Sequence, residues 1–161
     1  MIDIETATKN LIEGIRHSNR MTHAGVVIAA AAILDNQLEL ALKKGMKPLS
    51  KEMYNRLFDS SFGPLSSFAN KILMAFAFGI LTKEIYDELE KIRHIRNEFA
   101  HSSKVLNFES KEIAPKFSTL KKLHTTKKDP AEIFMTCVSV IDEFLEAYLE
   151  RMGEPNREGK G

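Results

Sequence analysis

Leu89-Glu-Lys-Ile-Arg-His-Ile-Arg-Asn-Glu-Phe-Ala-His101 is the stretch on which the reading of this chain turns. At 100° per residue, Ile85, Leu89, Ile92 and Phe99 fall on one stripe, the mark of a helix that turns an apolar face to a core. Arg96 falls within that stripe, and Asn97 and His101, four residues apart, share its flank. A guanidinium aimed at a core has to be paired, because an isolated buried charge is too costly to keep. Arg96 therefore calls for a carboxylate elsewhere in the chain, or for an open polar cleft.

Working back from this helix, Thr82 can cap its start, with Glu84 well placed near the positive end of the dipole. Gly79 closes the helix before it, predicted over 65–78, with Phe68, Ile72, Ala75, Phe76 and Gly79 as inner positions. That helix is apolar on most sides, which predicts a place at the centre of a bundle. Gly63-Pro64 ahead of it cannot continue a helix and reads as a turn. Ser50 can cap a short helix that points Tyr54, Leu57 and Phe58 inward. A strong helix is predicted from Thr22 to Gly45, with Val27, Ala31, Leu34, Leu38, Ala41 and Leu42 on one face. Asp35 flanks that face and Glu39 lies one turn on; these are the expected partners of Arg96, Asp35 in first place. A modest helix is expected over 4–17.

Working forward, Ile113, Phe117, Leu120 and Leu123 suggest a short helix in a loose segment, with Pro115 in its first turn. Lys121, Lys122, Lys127 and Lys128 then mark an exposed basic loop. Asp129 as cap, Pro130 at the first position and Glu132 open the last helix, which runs to Gly153. No alternating strand pattern occurs. The expectation is all-α: a single-domain up-and-down helical bundle of five to seven helices over residues 1–153, followed by a disordered polar tail, 154–161.

The 161 residues are enough for one sizeable core, and 43% hydrophobic with 28% charged residues is ordinary for a soluble protein. A formal net charge of +1 gives no overall electrostatic case for a nucleic-acid or membrane partner. The N-terminus has no signal-peptide pattern, and the apolar run Ala24–Leu34 is about half the roughly 20 residues a bilayer requires, so the expected location is cytoplasmic. The one cysteine, Cys137, reads as a small buried hydrophobe.

Five scattered histidines, His17, His23, His94, His101 and His124, show no metal-ligand spacing, so no metal is expected. Phosphate-loop, dinucleotide and serine-hydrolase motifs are likewise missing, and no cofactor is expected. No helix-turn-helix with a basic recognition helix is evident, so specific DNA binding by the chain alone is not expected. The four loop lysines form a weak basic patch that could touch phosphates, although a solvated loop is the simpler reading.

Residues 63–101, GPLSSFANKILMAFAFGILTKEIYDELEKIRHIRNEFAH, resemble the mannitol repressor (MtlR) family. The shared order is a Gly-Pro-Leu turn, an apolar helix ending near a Gly-hydrophobic pair, an acidic-aromatic helix start and an arginine-to-histidine helix end. The resemblance implies a helical protein that regulates sugar-alcohol transport operons without a DNA-binding motif of its own, through other proteins. Separately, Arg96-Asn97-Glu-Phe-Ala-His101 is similar to the Arg-x4–6-His signature of HEPN domains, helical bundles that often dimerise and include metal-independent ribonucleases.

Under that second resemblance Arg96, Asn97 and His101 would be catalytic, acting on RNA. A guanidinium can hold phosphoryl oxygens and an imidazole can move a proton, while a two-fold dimer would supply the second titrating group. The favoured expectation is a regulatory module that binds a protein partner and forms a homodimer, since the 65–78 helix is apolar on more than one side. The two readings part cleanly. A ribonuclease requires Arg96 and His101 in one accessible cleft, whereas an exposed apolar or Met-rich face favours the module.

Overall fold

The computed structural model describes Thr6, Asn10 and residues 23–59, 61–104, 106–120 and 129–153. Thr6 and Asn10 are helical; the rest of the helix expected over 4–17, the basic loop and the tail lie outside the described residues. From His23 onward the described residues form six helices, and no strand occurs among the described residues: α1 (His23–Gly45), α2 (Lys51–Phe58), α3 (Phe68–Ala77), α4 (Lys83–His101), α5 (Ala114–Thr119) and α6 (Pro130–Gly153). The all-α class is the one the periodicity predicts.

Local chemistry sets the helix ends. Ser50, Ser67 and Thr82 stand in extended backbone, and their hydroxyls accept from the N–H groups of Met53, Asn70 and Ile85. Ser67 as cap starts α3 at Phe68 rather than Leu65, because Pro64 and Leu65 belong to a turn that docks on α2 through Leu65 N–H to Leu57 O, 2.9 Å. Gly79 ends α3 at φ 73°, the left-handed geometry that favours glycine. Pro115 sits in the first turn of α5, where its missing N–H costs nothing.

The centre of the bundle belongs to α1, not to α3. Val27, Ala30, Leu34, Leu38, Ala41 and Leu42 of α1 are buried, and the helix packs on α3, α4 and α6. Its alanines allow the close approach. By length and composition α1 could also cross a membrane, a longer apolar run than Ala24–Leu34 suggested; here that apolarity serves the core. Helix α3 buries Ile72 and Ala75 but leaves Leu73, Phe76 and Phe78 exposed, so its apolar surplus faces outward. In α6 the buried set is Ile133, Phe134, Met135, Cys137, Val138, Ile141 and Leu145, broader at the start than one stripe, while Met152 is exposed.

The stretch between α4 and α5 is irregular yet tightly packed. Leu106, Phe108 and Ile113 are buried, and Phe108 stacks on His23 with ring centroids 4.2 Å apart. His23 Nδ1 accepts the Phe108 N–H at 3.0 Å, and Phe99, Phe117 and Phe134 surround the same ring.

Candidate functional site: a lysine clasp, two polar hollows and an apolar groove

Asp35 and Glu39 do not pair with Arg96. Their partner is Lys71 of α3, which is only 3% exposed and whose Nζ donates to Asp35 Oδ2 at 3.1 Å and to Glu39 Oε2 at 2.9 Å. Lys43 completes the cluster on Glu39 Oε1 at 2.7 Å. Burial alone would raise the Glu39 carboxyl, but the hydrogen bonds and charges of Lys43 and Lys71 outweigh it and hold the group below its ordinary range. Burial alone would likewise lower the Lys71 ammonium, and its bonds to Glu39 and Asp35 hold it above its ordinary range. The sequence signal was available: in FANKILMAFA, Lys71 is the one charged residue.

Arg96 reaches a cleft instead. The buried positions of α4 are Ile85, Glu88, Leu89, Ile92, Ile95 and Phe99. Burial of Glu88 and Ile95 swings the centre of the stripe away from Arg96, which ends half-buried at its edge. Its Nη1 donates to Asn97 Oδ1 at 3.1 Å. With Ile28, Ala31, Ala32 and Asp35 of α1 and Ser66, Ser67 and Phe68 at the start of α3, it lines a hollow of about 350 Å³. The open polar cleft, not the ion pair, is the outcome at this position.

Glu88 holds the core place that was expected of Arg96. It is 1% exposed, takes the Lys91 ammonium at 2.5 Å, and Lys91 also donates to Thr119 O at 3.1 Å, tying α4 to the end of α5. Cys137 is buried as expected and donates to Leu120 O at 3.2 Å; burial, then the charge of Glu88, pushes its thiol up to about 12.

His101 lies in a different hollow, of about 290 Å³, formed with His94, Asn97, Glu98, Ser102, Leu106 and Glu112. Glu98 is bridged to Lys116 at 2.7 Å, whose hydrogen bond and charge lower its carboxyl. A phosphate entering here would meet Glu98 and Glu112, with no arginine among the described residues that line the hollow. The structure thus places Arg96 and His101 in separate depressions, with Asn97 bonded to the first and lining the second. Within one copy of the chain, then, Arg96 and His101 do not line a common hollow. Among the described residues no group of three or more His, Cys, Asp or Glu side chains is placed to hold a metal ion.

On the opposite side of α3, Leu73, Met74 and Phe78 join Met46, Leu57, Pro64 and Leu65 around a groove of about 340 Å³, almost wholly apolar. Leu73 is 54% and Phe78 50% exposed. A second hollow, with Gly45, Lys47 and Leu49, continues it past Met46 and Phe78. No single periodic pattern marks this groove in the sequence, because its walls come from α1, α2, the turn and α3. Lys121, Lys122, Lys127 and Lys128 lie outside the described residues.

A family model described as "Mannitol repressor" matches residues 11–152. No curated protein matches the chain. Among solved structures, a chain of the X-ray structure of the MtlR–HPr complex from Escherichia coli is similar at a TM-score of 0.56 and 15% identity, over 91% of this chain and 98% of that one. The likeness to that structure is one of fold.

Proposed function

This chain belongs to the mannitol repressor family, and from that premise we propose that it is a cytoplasmic regulatory module that acts through a protein partner rather than by reading DNA itself. The regulated process would be sugar-alcohol uptake, and the partner a protein of the HPr kind, as in the complex from which the structural relative comes. The observation that carries this reading is the groove beside α3. Exposed apolar patches rimmed by polar residues mark interaction sites, and methionines such as Met46 and Met74 adapt to a partner's shape. Ile33 and Leu40, exposed on the outer side of α1, support a homodimer through a second surface.

The test is titration of purified HPr from the same cell into the wild type and into Leu73→Asp and Phe78→Asp, both at exposed positions that spare the core. Each substitution is expected to weaken binding by about tenfold or more, as truncation of a central apolar anchor does. Unchanged affinity in both variants would remove the groove from the reading, and no binding by the folded wild type would remove the partner.

A further inference from the structure

We propose that the cleft between α1, the α2–α3 turn and α4 binds a small hydroxylated anion, with the acidic group on Arg96 and the hydroxyl groups on Ser66 and Ser67. This site is separate from the apolar groove, and the proposal does not depend on the partner reading.

The charges of the cleft do not cancel. On α4, Glu88, Glu90 and Glu98 are already taken by Lys91, Arg93 and Lys116. On the facing side Lys43 and Lys71 offset Asp35 and Glu39. Arg96 donates to the neutral Asn97, so among the described residues its charge has no carboxylate partner and most of its five N–H groups remain available. A neutral or cationic ligand would leave that surplus unanswered.

The hydroxyl partners come from the start of α3 rather than from Asp35. Lys71 takes Asp35 Oδ2, and Oδ1 is buried away from the cleft. Ser66 donates to Gly63 O and so keeps an oxygen free to accept; Ser67 accepts from the Asn70 N–H and so keeps a hydrogen free to donate. Ala31, Ala32 and Ile28 give an apolar floor for a carbon chain. A hollow of about 350 Å³ suits a molecule of sugar size.

Calorimetry on the full chain tests this with four probes: a hexitol phosphate, gluconate, inorganic phosphate and the free hexitol. At least one hydroxylated anion is expected to bind more tightly than both inorganic phosphate and the free hexitol, and whichever of the two binds better tells whether the acid is a phosphate or a carboxylate. Arg96→Gln should weaken binding by about ten- to a hundredfold, the worth of a charge-assisted hydrogen bond. Ala32→Phe fills the floor from an exposed position, so it should abolish binding with the melting temperature retained. Failure of both hydroxylated anions to bind at millimolar concentration would overturn the proposal. So would equal binding of inorganic phosphate or of the free hexitol, or binding that survives Ala32→Phe.

Discussion

Lys71 closes the gap between α1 and α3 by answering two carboxylates at once, and its loss would leave Asp35 without its cation and Glu39 with Lys43 alone. Lys71→Met is expected to destabilise by about 1–3 kcal/mol, the acids retaining some contact with water. Arg96→Ala, lacking any carboxylate to strand, should stay within about 1 kcal/mol of the wild type; urea unfolding of the two variants side by side checks the order. The pH dependence follows from the same clasp. Glu39 is lowered, so its contribution is present above its unfolded pKa and lost as pH falls through the folded one; Lys71 is raised, so its contribution is present below its unfolded pKa and lost as pH rises through the folded one. The clasp therefore holds fully between about pH 4.3 and about pH 10.4. Asp142 runs the other way: burial raises its carboxyl against a hydrogen bond from Gln37 that lowers it, and Asp142 Oδ1 and Gln37 Oε1 are both buried without partners. Asp142→Asn would remove the charge and offer an N–H to Gln37 Oε1, so thermal unfolding at pH 7 should show a gain of about 0.5–1.5 kcal/mol. These residue identities were hard to read from sequence for one reason. Helical periodicity says which face a side chain lies on, but Lys71 and Asp35 meet across 36 positions, and the choice between Lys71 and Arg96 as the cation is made by tertiary packing.

At the scale of elements, what is encoded within a few residues was legible. Ser50, Thr82 and Gly79 bound their helices as their chemistry predicts, and Pro115 falls in the first turn of α5. Ser67 as cap is harder to read, because Leu65, Phe68 and Ile72 keep helical spacing on both sides of it. The centre of the bundle differs from the expectation for a related reason: apolar residues on every side of a helix mean burial only if enough neighbours exist to cover them, and α3 packs on α1 and α4 while Leu73 and Phe76 stay exposed. Gly63 fixes the turn between α2 and α3. A Cβ there would lie 2.7 Å from Leu57 O and 3.0 Å from Arg56 O, both backbone atoms that cannot swing aside. Gly63→Ala is expected to cost about 1–3 kcal/mol, as overpacking does. Gly153→Ala, where an added Cβ meets nothing within 4 Å, should be close to neutral, and the melting temperatures of the pair decide the point.

For the molecule as a whole, the separation of Arg96 from His101 predicts that single-stranded and transfer RNA stay intact when incubated with the protein in chelator, with wild type and His101→Ala indistinguishable. Cleavage yielding 2′,3′-cyclic phosphate ends would contradict the arrangement described. The central place of α1 has a consequence for how the chain is made. Helix α1 is synthesised early, yet one of the helices that covers it, α6, begins only at Pro130. A ribosome adds about 5–20 residues per second, so Val27, Leu34 and Leu38 spend seconds without their final cover. A message truncated before codon 130 would release a chain in which that face stays bare. Such a product is expected in the insoluble fraction or bound to chaperones, while the chain carried through Gly153 is soluble, and fractionating stalled and completed products from one translation reaction measures the difference.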